Sequence, residues 1–224
     1  MKLINEMKYV IVSDFDGTIT REDSNSLLVE ACGNPENARI EADFISGYMS
    51  SRDAFIQHFD AMRISLTEYI EFIESNIAIT EGFDKFLEIT RKLEVPMFIV
   101  TGGYHQAVTS VLGDERLSGV EVYANNLSGE PHIKPVFRTK NPICEKAFGP
   151  CGNCKRDCIR TIRRESGRKI LFIGDGITDH CAVEEADLIF AKDFLAEYCK
   201  EQALPYVTYK DFTDIIDYLG WCIT

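Results

Sequence analysis

The chain has 224 residues, 45% hydrophobic and 27% charged, with 36 acidic against 24 basic side chains and a formal net charge of −12. That length holds one well-buried α/β domain plus a smaller insertion rather than two full-sized domains, and the acidic balance disfavours nucleic acid and anionic membrane surfaces as partners. The opening stretch MKLINEMKYV carries Glu6 where a signal peptide would be apolar, and no later run reaches transmembrane length, so a cytoplasmic location with no membrane partner is expected. The eight cysteines are then expected as thiols.

The apolar run Tyr9 to Val12 predicts a buried strand, and DFDGTIT, Asp14 to Thr20, sits at its tip. Ligands in open α/β sheets bind at such strand ends. Period-two geometry puts Asp14 and Asp16 on one face, and Gly17 lets the chain turn sharply after them. Two crowded carboxylates repel unless a divalent cation sits between them, and Mg²⁺ favours one or two carboxylates together with waters and phosphate oxygens.

From residue 21 to 79 apolar residues recur at helical spacing: Leu27, Leu28 and Ala31, then Phe55, Ile56 and Phe59, then Tyr69, Ile70 and Ile73. Asp23 or Ser24, Asn34-Pro35, Ser51 and Thr67 are the candidate N-cap regions. Three or four short helices are expected, forming a cap over the strand end, with residues 1–20 and 80–224 as the core. Phe83, Phe86, Leu87, Ile89 and Leu93 predict another amphipathic helix, and Val95-Pro96 opens a strand ending in IVTGG at Ile99 to Gly103. A helix over 104–112, a strand over 120–124 and a turn around 128–130 follow. Lys169 to Ile173 reads as a strand running into GDGITD, Gly174 to Asp179. Shorter strands are expected over 187–191 and 206–209, with a closing helix over 212–219. Strands alternating with helices predict a doubly wound parallel sheet covered on both faces.

In such a sheet Asp14 and Asp16, Thr101, and Asp175 with Asp179 fall along one edge. Asp175 completes an oxygen site with Asp14, while Thr101 and the backbone N–H groups of Gly102 and Gly103 offer a seat for phosphate oxygens. Lys155 is the cation best placed by sequence order to face that phosphate. The competing reading, a surface turn with N-capping aspartates, explains a lone Asp-Gly turn but not three polar strand ends together.

These motifs resemble those of the haloacid dehalogenase superfamily of aspartate-nucleophile phosphatases, whose four motifs match DFDGTIT, the Thr101 strand end, Lys155 and GDGITD. The resemblance implies a Mg²⁺-dependent phosphomonoesterase with a Rossmann-like core. Asp14 would be the nucleophile and a metal ligand. Asp16 would be the general acid and base, binding the metal through its backbone carbonyl. Thr101 and Lys155 would bind phosphate, Asp175 the metal, and Asp179 would orient the lysine or a metal-bound water; a plain helix cap remains the alternative for Asp179. The insertion after the first motif is similar to the small helical cap of the phosphoserine-phosphatase-like branch, where Asp23 falls at the place of a substrate-binding glutamate. That branch usually has DxDST where this chain has DFDGT.

Within the superfamily CGNCK (151–155), GDGITD, FAKDFLAEYCKEQ (190–202) and YKDF (209–212) resemble the 2-hydroxy-3-keto-5-methylthiopentenyl-1-phosphate phosphatases of methionine salvage. Those usually have Ser where Thr101 stands, which keeps the hydroxyl. The implied substrate is a small phosphorylated metabolite of that kind, with phosphoserine and phosphoethanolamine or phosphocholine as alternatives. From a different class, a non-catalytic metabolite or zinc sensor on the same fold stands against the intact Asp14, Asp16, Lys155 and Asp175. Cys144, Cys151, Cys154 and Cys158 contain a C-x2-C of zinc-knuckle spacing. Three readings stay open for them: thiols packed on a tight turn, a structural Zn²⁺ that clamps the loop before Lys155, or a disulfide.

Overall fold

The computed structural model describes residues 9–140, 144 and 149–221. Its strands are β1 (Tyr9–Ser13), β2 (Met97–Tyr104), β3 (Val120–Ser128), β4 (Lys134–Val136), β5 (Lys169–Gly174), β6 (Leu188–Ala191) and β7 (Val207–Thr208). They form a seven-stranded sheet in the order β4-β3-β2-β1-β5-β6-β7. All neighbours pair parallel except β3 and β4. The doubly wound sheet expected from the alternating pattern is therefore present.

Both faces of the central strands β1, β5 and β6 are buried, which is why they read as unbroken apolar runs. Alternate residues point to opposite sides. Tyr9, Ile11, Leu171, Ile173 and Phe190 pack with Phe83, Phe86, Phe212 and Ile215 on one face. Val10, Val12, Ile170, Phe172 and Ile189 pack with Ile159, Ile162, Leu195 and Cys199 on the other. Ser13 stands opposite Ile99 in β2 and Ile173 in β5. One residue beyond Ser13 and two beyond Ile99 and Ile173, Asp14, Thr101 and Asp175 emerge at the same edge.

Between β1 and β2 the described chain forms helices α1 (Ser24–Cys32), α2 (Pro35–Ile45), α3 (Ser51–Met62), α4 (Leu66–Asn76) and α5 (Phe83–Lys92). Asp23 and Asn34 cap α1 and α2, as the sequence predicts. The next caps are Ser50 and Ser65, not Ser51 and Thr67. Ser65 forms a capping box with Glu68, which a start at Thr67 would forgo. Phe55 and Phe59 of α3 and Tyr69 of α4 surround Tyr104 at the end of β2, with ring centroids 5.4–6.2 Å apart. Such aromatic pairs contribute about 0.5–1.5 kcal/mol each beyond area burial. Where the chain leaves and re-enters the core, Thr20 bridges Ile79, Arg21 N–H donates to Ala78 O, and Thr80 N–H donates to Ile19 O.

The remaining helices are α6 (His105–Leu117), α7 (Lys155–Ser166), α8 (His180–Val183), α9 (Asp193–Glu201) and α10 (Phe212–Tyr218), with a 3₁₀ turn at Ile177–Asp179. β4, α8 and α9 have no counterpart in the predicted elements. β4 is three residues with Pro135 at its centre, a residue confined to sheet edges.

Candidate active site

β1 ends at Ser13, and the Asp14 N–H is still held by Ile173 O, so the first aspartate sits where the ladder stops. Its Oδ1 accepts from the Phe15 N–H at 2.7 Å, and its Oδ2 lies 2.7 Å from Lys155 Nζ. Lys155 is the first residue of α7; its ammonium is buried and also donates to Asp179 Oδ1 at 2.7 Å. Asp179 Oδ2 accepts from the N–H groups of Asp175 and Gly176 at 3.2 and 3.0 Å. Both oxygens of Asp179 are thus engaged by the protein, and the residue holds Lys155 and the GDGITD loop in place.

Asp16 shares the turn but faces different partners. Its Oδ1 accepts from the Ser24 N–H at 3.0 Å and from the Ser24 hydroxyl, and its Oδ2 lies 3.3 Å from Thr101 Oγ1. Gly17 has φ +72°, and a Cβ there would run into the Asp175 carboxylate. Asp175 Oδ1 in turn accepts from Thr18 Oγ1 at 2.5 Å. Gly103 N–H donates to Thr101 Oγ1 at 2.9 Å rather than standing open. Around Gly102 an added Cβ would meet nothing within 4 Å, leaving the backbone there open to a close approach. Ser24, Thr18 and Asn153, whose amide bridges Thr101 O and Tyr123 O at 2.8 Å each, complete the arrangement. None has a sequence signal beyond proximity to a motif.

Oxygen atoms of Asp14, Asp175 and Asp179 lie within 4.8 Å of one another. A set of hard oxygen donors suits Mg²⁺ and similar ions. Burial pushes the Asp14 carboxyl well above its usual range, Asp179 adding to this and Lys155 opposing it. Burial likewise raises Asp16 and Asp175 to about 7 each, with the nearby charges of Asp23 and Asp179 contributing respectively. For Lys155 burial works against the charge, but Asp14 and Asp179 outweigh it and hold the ammonium above its ordinary value. Three carboxylates around one ammonium leave net negative charge, the condition a divalent cation would relieve.

These groups floor a pocket of about 590 Å³, its mouth included, whose walls come from α1, α2 and α3. Asp23 lies on its rim and is also the N-cap of α1, its Oδ1 accepting from the Asn25 and Ser26 N–H groups at 2.9 and 2.8 Å. Asp23 is thus a helix cap that also lines the pocket. Glu41 and His58 also line the pocket.

Of the three readings of the cysteines, the metal clamp finds no support. Among the described residues the sulfurs of Cys144, Cys151, Cys154 and Cys158 do not gather as a ligand set; the three-carboxylate group does. All four are free thiols. Cys154 is the N-cap residue of α7, and the buried Cys158 donates to Asn153 Oδ1 at 3.2 Å. Burial raises Cys154 to about 11 and Cys158 to about 12, so both are held as thiols in the metal-free fold. Their places are set by packing around the turn that delivers Lys155.

Over residues 11–184 the chain matches the haloacid dehalogenase-like hydrolases. It belongs to that family and is a phosphatase. It is 30% identical over 213 residues to the 2-hydroxy-3-keto-5-methylthiopentenyl-1-phosphate phosphatase of Geobacillus thermodenitrificans, covering 94% of each chain. It is also 28% identical over 221 residues to a polyol phosphate phosphatase of Saccharomyces cerevisiae, covering 94% of this chain and 92% of that one. The fold is similar to a substrate-bound phosphoserine phosphatase, with a TM-score of 0.70 at 19% identity over 94% of this chain and 97% of the other. Among the described residues no helix is long and apolar enough to cross a membrane.

Proposed function

We propose that the protein is a Mg²⁺-dependent, cytoplasmic phosphomonoesterase that works through an aspartyl phosphate on Asp14, under a cap formed by residues 21–79. The observation that carries this reading is the Asp14 carboxylate at the sheet edge, 2.7 Å from the buried Lys155 ammonium and grouped with Asp175 and Asp179. Thr101 Oγ1, Lys155 and the backbone at Gly102 hold the phosphate oxygens. Asp14 attacks phosphorus, and Asp16, raised to about 7, gives its proton to the departing alcohol oxygen. The Asp16 carboxylate so formed then takes a proton from the water that attacks the aspartyl phosphate, which frees Asp14 and restores the acid. Mg²⁺ held by Asp14, Asp175 and the Asp16 carbonyl would offset the repulsion between the nucleophile and a phosphate dianion.

The substrate is a small phosphorylated metabolite of the methylthiopentenyl-phosphate kind. Val29, Phe44, Ala54 and Phe55 give the pocket an apolar side suited to a thioether chain, and the bacterial relative above carries that substrate in its name. The purified chain should hydrolyse p-nitrophenyl phosphate with Mg²⁺ and not with EDTA. Acid-quenched enzyme should yield a phosphorylated peptide containing Asp14. Turnover that survives Asp14→Asn would overturn the assignment.

A further inference from the structure

If the phosphatase reading holds, the pocket walls away from the phosphate describe the rest of the substrate. Asn37 Oδ1 accepts from the Asn34 N–H at 3.1 Å, which fixes its amide so that Nδ2 is the donor. That donor meets His58 Nδ1 at 3.0 Å and His58 O at 3.1 Å. His58 Nδ1 is therefore the acceptor nitrogen, and its Nε2 carries the proton that points to Glu41 Oε2 at 3.2 Å. His58 is buried and Glu41 partly exposed to the pocket. A relay across two helices, α2 and α3, thus holds Glu41 Oε2, and Glu41 lines the cavity with its second oxygen still able to accept.

Asp23 is held in a parallel way, one oxygen on the α1 N–H groups. Among the described residues Lys155 is the only lysine or arginine lining the pocket, and it is already shared between Asp14 and Asp179. Arg52, the arginine on α3, turns away: its guanidinium donates to Thr139 O at 2.8 Å and lies over the Phe137 ring. A carboxylate on the substrate would meet like charge and no counterion, which suppresses wrong partners. Asn25, Ser26 and Ser51 line the same space. They offer donors as well as acceptors, so a substrate hydroxyl can use both, whereas an ammonium can use only the acceptors.

We propose that Glu41, positioned by the Asn37–His58 relay, is a specificity-determining residue that accepts hydrogen bonds from hydroxyl groups of the substrate and, with Asp23, bars phosphates bearing a carboxylate.

The test is steady-state kinetics of the full chain with Mg²⁺ on glycerol 3-phosphate, 3-phosphoglycerate, phosphoethanolamine and p-nitrophenyl phosphate. Wild type should favour glycerol 3-phosphate over 3-phosphoglycerate by at least roughly tenfold in kcat/KM, on the scale of one hydrogen bond to a charged group. Glu41→Gln should shrink that preference. It should also lower the ratio of glycerol 3-phosphate to p-nitrophenyl phosphate activity by roughly 10- to 100-fold, an effect partly recovered in Glu41→Asp. Equal wild-type activity on the two three-carbon phosphates overturns the proposal without needing any variant. So does a Glu41→Gln loss shared equally with p-nitrophenyl phosphate, or one that falls chiefly on a preferred phosphoethanolamine. If wild type ignores p-nitrophenyl phosphate as well, the phosphatase reading itself fails and this inference goes with it.

Discussion

Asp14 and Asp16 are two residues apart on one turn, yet their surroundings differ as the two proposed roles require. Asp14 faces the Lys155 ammonium, while Asp16 is wrapped by Ser24 and Thr101 and stands at about 7, so near neutrality a good share of it carries a proton. Asp16→Asn should therefore slow phosphoryl transfer from an alkyl phosphate by roughly 10²–10⁴-fold. The burst of nitrophenol from p-nitrophenyl phosphate should barely change, because that leaving group needs no proton. A pre-steady-state burst slowed equally for both substrates would leave Asp16 as a positioning group. The aspartates were legible because two carboxylates at a strand tip demand an explanation. Ser24, Thr18 and Glu41 were not, since a hydroxyl or carboxylate on a turn or helix looks like any solvated or capping residue until its neighbours are in place.

At the scale of the element, the turn after β1 depends on Gly17. Its positive φ and its approach to Asp175 mean that a side chain there is strained twice, once by the backbone and once by the carboxylate. Gly17→Ala should destabilise the protein by more than about 1 kcal/mol in urea unfolding and weaken Mg²⁺-dependent turnover. A midpoint unchanged from wild type would show that the turn can relax. Helices with strict apolar spacing, such as α3 and α5, were readable, as were the buried strands. Caps shifted by one or two residues because Ser-Ser and Ser-Leu-Thr each offer two competent hydroxyls, and the choice is made by Asp53 and Glu68 reaching back. The C-x2-C spacing left three readings open for a related reason. Spacing reports where sulfurs are along the chain, whereas ligation requires that they converge and ionise.

For the whole molecule, the buried carboxylates tie stability to protons and metal. In the metal-free fold Asp16 and Asp175 stand at about 7, above the roughly 3.9 of an unfolded Asp, so the folded state binds protons more tightly than the unfolded one. Their contribution is fully present below pH of about 4 and is lost as pH rises through about 7. Mg²⁺ competes for the ionised carboxylates and should offset that loss. The rise in Tm between EDTA and Mg²⁺ should accordingly be larger at pH 8 than at pH 5 in differential scanning fluorimetry. An equal rise at both would detach the metal from these groups. The net charge of −12 was readable from composition, but the meeting of Asp23 and Glu41 with Asp14 and Asp16 in one pocket was not, because α1 and α2 bring them over the sheet edge only on folding.

The bridge of Thr20 with Ile79 has a consequence for descent. The chain departs from the core and returns to it at a single point, and among the described residues no strand of the sheet lies between the two. Apart from Ser24, at the very start of that stretch, the proposed reacting groups all belong to the sheet edge and α7. The helices that face the rest of the substrate can therefore drift, lengthen or be exchanged while Asp14, Thr101, Lys155 and Asp175 stay in register. A lineage built on this plan would conserve one reaction and spread across many metabolites, with its diversity written in the interval between two neighbouring residues.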